Sequence, residues 1–238
     1  MITEEKKLNG KKLRSVKEKI NTDTKYSITD AIKFLQENKV AKFNETLEVV
    51  VKLGVNPANS DQMVRGVVDM PSGTGKKIRV AVITSDKNEE KAKKAGADIV
   101  GLESVIDDIK AKKIDFDICI ATPDVMPKIS AIARILGPKG LMPNPKLGTV
   151  TMDVEKAVKQ AKAGQVEFRT EKAGIIHAGI GKLSFTLDEL IANVSALFEV
   201  LIKARPSGAK GAYLKEVFVA STMGPSLKVD VTSIVNKG

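Results

Sequence analysis

Tyr213-Leu-Lys-Glu-Val-Phe-Val-Ala-Ser-Thr-Met-Gly-Pro-Ser-Leu-Lys-Val-Asp-Val231 reads as strand, tight break, strand. Val217 and Val219 stand two apart before the break. Leu227, Val229 and Val231 alternate with Lys228 and Asp230 after it, the period of a half-buried antiparallel sheet. Gly224-Pro225 forces the break. The tip is left with Ser221, Thr222, Met223 and Gly224: two hydroxyls, an adaptable thioether and a residue with no side chain. No catalytic acid, base or metal ligand stands among them. Read locally, the tip is an ordinary hairpin turn. Whether it is also a recognition surface depends on the rest of the chain.

Working outward, Thr186 is placed to cap a long helix whose Leu190, Val194, Leu197 and Leu201 form one apolar stripe. Before it, residues 165–171 and 174–181 are expected to form a hairpin, with Arg169, Lys172 and Lys182 around its turn and end. Near the other end of the chain, Ser27 or Thr29 can cap a helix through Asn38. Residues 41–55 then alternate, with Phe43, Glu45, Leu47, Val49 and Val51 on one side. Residues 63–70 read as a strand pairing antiparallel with that one. Between these pieces the grammar changes. Apolar runs at 78–84, 97–101 and 116–122 alternate with helical segments, the pattern of a parallel α/β sheet buried on both faces. An α/β domain is therefore inserted into an antiparallel one, with Pro71 to Gly75 as a linker candidate.

An α/β domain raises the question of enzymatic activity. The Gly75-Lys76 pair imitates a phosphate loop, but Met70 stands where its first glycine belongs and Lys77 where its hydroxyl belongs. The first strand-to-helix turn, Thr84 to Lys87, has no glycine, so no dinucleotide fingerprint is present. Asp124 follows Pro123 and reads as a helix N-terminal acid. Cys119 lies in an apolar strand and cannot form an internal disulfide. His177 is the single histidine and has no cysteine cluster beside it. Gly137-Pro-Lys-Gly140 has the spacing of an RNA-clamping loop, but Met142-Pro-Asn-Pro145 replaces the helix that must follow it. The loop from Gly137 to Val150 reads as ordered and shaped, not as a tether.

Composition narrows the partner. The 238 residues carry a formal net charge of +10, 42% hydrophobic and 29% charged residues, and 4% aromatics with no Trp. An anionic partner fits, nucleic acid before acidic membrane. Lysine dominates the excess and suits phosphate better than planar base reading. So few aromatics argue against a stacking platform for single strands. Charge does not localise the site: residues 76–162 hold 17 basic and 12 acidic residues, and the remainder 22 and 17. No apolar run reaches the ~18 residues of a membrane span, and the first residues lack a leader's apolar core.

Six stretches together carry a resemblance: Lys-Phe-Asn-Glu-Thr at 42–46, Ser-Asp-Gln-Met-Val-Arg-Gly at 60–66, Ala-Thr-Pro-Asp at 121–124, Arg-Ile-Leu-Gly-Pro-Lys-Gly-Leu-Met-Pro-Asn-Pro-Lys at 134–146, Val-Glu-Phe-Arg at 166–169 and Ser-Thr-Met-Gly-Pro-Ser at 221–226. Over nearly its whole length the chain resembles the bacterial family of ribosomal protein L-one, the protein of the mobile stalk on the large ribosomal subunit. The resemblance implies a split two-layer α+β domain with an antiparallel sheet, residues 1–73 plus 163–238. It is interrupted by an inserted Rossmann-like three-layer α/β/α domain, residues 74–162, without a nucleotide site. It implies a cytoplasmic ribosomal protein that is monomeric when free, with no cofactor, metal, membrane or small-molecule substrate. Its partners would be the stalk of large-subunit ribosomal RNA, the messenger of its own operon (which it would repress) and the exit-site transfer RNA. Carried onto this sequence, the RNA surface would be Lys42, Phe43, Glu45, Thr46, Arg169, Lys172, His177, Ser221, Thr222, Met223 and Gly224, gathered on one edge. Gly179 departs from the family pattern, where a proline is expected. The rival function is an α/β enzyme working in a cleft between the domains.

Overall fold

The computed structural model describes residues 10–21 and 24–235. They fall into two compact units, one within Met1–Gly75 and Val166–Gly238, the other within Lys76–Gln165. In chain order the first unit opens with α1 (Lys11–Lys17), α2 (Ile28–Glu37), β1 (Thr46–Leu53) and β2 (Arg65–Asp69). There follow β3 (Val80–Ile83), α3 (Asp86–Lys94), β4 (Ile99–Gly101), α4 (Glu103–Lys110), β5 (Ile118–Ala121), α5 (Met126–Ser130), α6 (Ala133–Leu136) and α7 (Val154–Gly164). The chain closes with β6 (Gln165–Arg169), β7 (Ile175–Lys182), α8 (Leu187–Lys203), β8 (Leu214–Ser221), β9 (Ser226–Val229) and α9 (Thr232–Val235).

In the first unit a four-stranded sheet runs β7-β1-β8-β9. β1 is central and pairs antiparallel with β7 and with β8. β8 and β9 form the expected hairpin, Val217 opposite Val229 and Ala220 opposite Ser226. Alternation works as the sequence implies: Leu47, Val49 and Val51 point inward and are buried. They pack with Ala31, Ile32 and Leu35 of α2 and with Leu190, Val194, Leu197 and Leu201 of α8. Ser27 caps α2, its Oγ accepting from Asp30 N at 3.1 Å. Thr186 and Glu189 cap α8 reciprocally, Glu189 accepting from Thr186 N at 2.8 Å.

Two pairings differ from the sequence reading. β2 does not pair with β1; it pairs with β6 in a separate two-stranded sheet. Both edges of β1 are already taken by strands from the far end of the chain, so none is left for β2. The 165–181 hairpin is only a turn. Gly174 N donates to Glu171 O at 2.9 Å, but the strands on either side diverge into different sheets. Residues 71–75 are pinned, not a free linker. The buried Asn193 amide donates to Gly73 O and Ile180 O, each at 2.9 Å, and its Oδ1 accepts from Ser72 N at 3.0 Å.

The second unit is built on a parallel sheet ordered β4-β3-β5. All four residues of β3 are buried. Ala81 and Ile83 pack with α4, Ile129 and Leu136 on one face; Val80 and Val82 pack with Ala92, Val154 and Val158 on the other. Two carboxylates hold the strand starts. Asp98 accepts from Val80 N at 2.8 Å, and Asp117 from Arg79 N at 3.1 Å and Lys76 Nζ at 2.9 Å. The Val80 N–H for Asp98, and the Lys76 ammonium for Asp117, hold these acids below their ordinary range. The Pro-rich loop is ordered by Thr149: its hydroxyl accepts from Asn144 N at 2.7 Å, and its carbonyl accepts from Ala121 N at 2.9 Å.

Candidate nucleic-acid interface

The centre of the site is a carboxylate that the solvent does not see. Glu45 precedes β1 by one residue and continues its inward parity, so it is 1% exposed. Its Oε1 accepts from Val40 N at 3.1 Å and Ala41 N at 2.8 Å. Its Oε2 accepts from Ser221 Oγ at 2.7 Å and Met223 N at 3.1 Å. Burial opposes its charge, but the Ser221 hydroxyl and the three backbone N–H groups outweigh burial and hold the carboxyl below its ordinary range. One side chain thus joins the loop before β1 to the β8–β9 tip.

The tip is tied a second time. Thr222 N donates to Thr46 O at 3.1 Å, and Thr222 Oγ1 accepts from Thr46 N at 3.0 Å. The Thr46 hydroxyl accepts from Lys182 Nζ at 2.9 Å. Gly224 has no room for a side chain, because a Cβ there would run into Ser221 Oγ. What the tip presents outward is Met223, 53% exposed, beside the loop that carries Lys42 and Phe43, itself 57% exposed.

Eight of the eleven residues named from sequence therefore meet at one end of β1: Lys42, Phe43, Glu45, Thr46, Ser221, Thr222, Met223 and Gly224. The other three do not join them on a single edge. Arg169 and Lys172 flank the turn at the opposite end, where Lys52 pairs with Ile175 and Leu53 N donates to Gly174 O. At ~3.3 Å per residue, the two poles of β1 stand about 20 Å apart. His177 lies on the open face between them, opposite Val50, with Nε2 3.7 Å from Glu171. Glu45 and Ser221 bond each other inside and act by holding the loops, while Phe43 lies in a bend before β1, so strand parity does not reach it.

The sequence reading left Lys182 out of the site. No signal in β7 could have found it: alternation from His177 does not place Lys182, and only its pairing with Thr46 does. Cations on the open face differ in availability. Lys52 and Lys228 both clasp Glu216, at 3.3 and 2.6 Å. Lys42, Arg169 and Lys172 have no ion pair among the described residues. No cluster of metal-ligating side chains occurs among the described residues. No helix among them is long and apolar enough to cross a membrane. Cys119 is buried in β5, and burial pushes its thiol up to about 12.

Sequence comparison says to which class of protein this open sheet belongs. The Ribosomal protein L1p/L10e family matches residues 35–225, and the chain belongs to that family. It is 60% identical over 225 residues to the large ribosomal subunit protein uL1 of Rickettsia rickettsii (strain Sheila Smith), covering 94% of each chain. The Rickettsia akari (strain Hartford) uL1 is 59% identical over the same share. That of Rickettsia prowazekii (strain Madrid E) is 58% identical over 229 residues, 96% of each chain. The family is one of ribosomal proteins of the large subunit and not of enzymes, so the cleft-enzyme alternative falls.

Proposed function

We propose that the chain binds the stalk region of large-subunit ribosomal RNA through the open face of β7-β1-β8-β9 and its two poles. The supporting observation is the set of exposed cations without ion pairs among the described residues, Lys42 at one pole and Arg169 and Lys172 at the other, on a surface about 20 Å long. Lysine and arginine there release counterions from phosphate. Backbone and hydroxyl groups of the Thr222–Gly224 tip meet ribose and phosphate by shape, and Phe43 and Met223 cover apolar sugar or base surface. Glu45 keeps this pole in one conformation before RNA arrives, which lowers the ordering cost of binding.

On this reading, residues 1–73 plus 163–238 are the RNA-binding domain and residues 74–162 a Rossmann-like insertion. The same surface would hold a similar fold in the messenger of the chain's own operon and repress its translation. As part of the stalk, the protein would take part in movement and release of deacylated transfer RNA at the exit site. Footprinting total ribosomal RNA with the protein added tests the core of the proposal. One protected stalk-like element, retained in competition with unrelated duplex RNA, is the expected result; equal loss to any duplex would reduce the protein to a general polyanion binder.

A further inference from the structure

At the far pole a groove of about 1060 Å3 opens between the loop after β1 and the turn from β6 to β7. Its walls are apolar: Pro57, Ala58, Met63 and Ala173. Its rim carries Arg169 and Lys172, with Glu171 as the one carboxylate. Thr170 is buried and secures the groove's edge, its N–H and hydroxyl both donating to Val64 O, at 2.9 and 2.7 Å. Arg169 Nη2 rests 3.9 Å from Met63 Sδ, which seats the guanidinium against the thioether. On the adjoining strand, Arg65 Nε is buried without a hydrogen-bond partner. Glu171 lies 3.7 Å from His177, and among the described residues Arg169 and Lys172 have no carboxylate within ion-pair distance, Glu167 acting on Arg169 from farther off.

An occupant matching this groove must be flat and apolar on one side and anionic on the other. A stacked duplex offers phosphates, 2′-hydroxyls and base edges but no open base face along its length; an unstacked nucleotide offers a flat apolar face and a phosphate together. We infer that the groove seats one unstacked nucleotide of the bound RNA, its base between Met63 and Ala173 and its phosphate at Arg169 and Lys172. This rests on the RNA-binding reading above and adds base capture to it. The near pole is held by hydroxyls and backbone and reads shape; the far pole reads a base that has left its stack. Guanidinium and thioether surfaces replace the aromatic platform that the sequence lacks.

The test uses the full chain, its Met63→Ala and Ala173→Glu variants, and the protected ribosomal RNA fragment with single abasic nucleotides placed through it. Met63 and Ala173 are exposed, so both variants should fold, as circular dichroism would verify. One abasic position should weaken wild-type binding about tenfold, within the range of a lost base stack. The same lesion should cost little more once Met63 is shortened or the groove is filled by the glutamate. If every abasic penalty is as large in both variants as in wild type, the groove holds no base and the inference is overturned while RNA binding stands. If the wild type does not prefer the intact fragment over unrelated RNA, the RNA-binding reading fails and the groove proposal with it.

Discussion

β1 and β3 are the central strands of the two units, and they are built in opposite ways. In β1 every second residue is buried and the others face outward; in β3 all four are buried. A strand covered on both faces has no side chain to offer a partner. An alternating strand offers every second one along its whole length. Pairing of the cations does not follow the same division. The two sequence segments carry equal net charge, and in the second unit Lys76, Arg79, Lys93, Lys110, Lys128, Lys159 and Lys162 stand in ion pairs while Lys77, Lys91, Lys94, Lys112, Lys113, Lys139, Lys146 and Lys156 do not, among the described residues. At the poles of β1, Lys42, Arg169 and Lys172 do not. Exposed ion pairs contribute little stability, but they place a carboxylate where a phosphate would otherwise sit. What separates the two units is therefore where unpaired cations stand, beside an open strand face in the first, and not net charge.

The largest break in this contrast should come from Glu45→Ala. It strands the Ser221 hydroxyl and three backbone donors, and removing one partner of such a buried network costs roughly 3–5 kcal/mol. Urea denaturation should show the loss in the first unit, and RNA affinity should fall with it. The folded carboxyl titrates below its unfolded value, so Glu45 stabilises the fold fully above that unfolded value and loses this contribution as pH falls through the folded one. Glu45→Gln should flatten that part of the acid-unfolding curve. The acid losses due to Asp98 and Asp117, shifted the same way in the second unit, should remain.

Ile83→Ala probes the other strand. Ile83 is fully buried, and its truncation should cost about 2–4 kcal/mol of second-unit stability. RNA affinity at a temperature where the unit stays folded should not change; a parallel loss would mean that the inserted unit shares in binding. Thr222→Val comes next. It removes the acceptor for Thr46 N as well as a tip hydroxyl, and filter binding should register about 1–3 kcal/mol of lost affinity. Unchanged affinity would remove the tip from the interface. The smallest effect is Lys172→Ala, which should reduce the slope of log affinity against log salt by just under ~1. Lys159→Ala, paired with Glu155, should leave that slope alone, and an equal change in both would erase the distinction between free and paired cations.

The sequence carried the faces of the strands further than their partners. Alternation put Leu47, Val49, Val51 and Glu45 inward, and it separated the double-sided burial of residues 80–83 from the single-sided burial of 46–53. It did not show that residues 65–69 pair with 165–169, because a period of two states which face is buried and not which strand lies alongside. It grouped eleven residues on one edge where β1 holds ten of them at two poles about 20 Å apart, with His177 between. Nothing in the local pattern of residues 165–174 showed that the turn there divides two sheets.

What the sequence determined by itself is the grammar: an antiparallel unit interrupted by a parallel one, the capped helices Ile28–Glu37 and Leu187–Lys203, the β8–β9 hairpin and the family. These follow from periodicity, capping residues and motif identity, which are local. Tertiary structure alone decided that Glu45 binds Ser221 and Met223 across the chain, that Lys182 reaches Thr46, and which lysines of either unit find a carboxylate. Those facts depend on which distant segments share a sheet edge, and a hydrogen bond or ion pair forms only where folding brings both partners within about 3 Å.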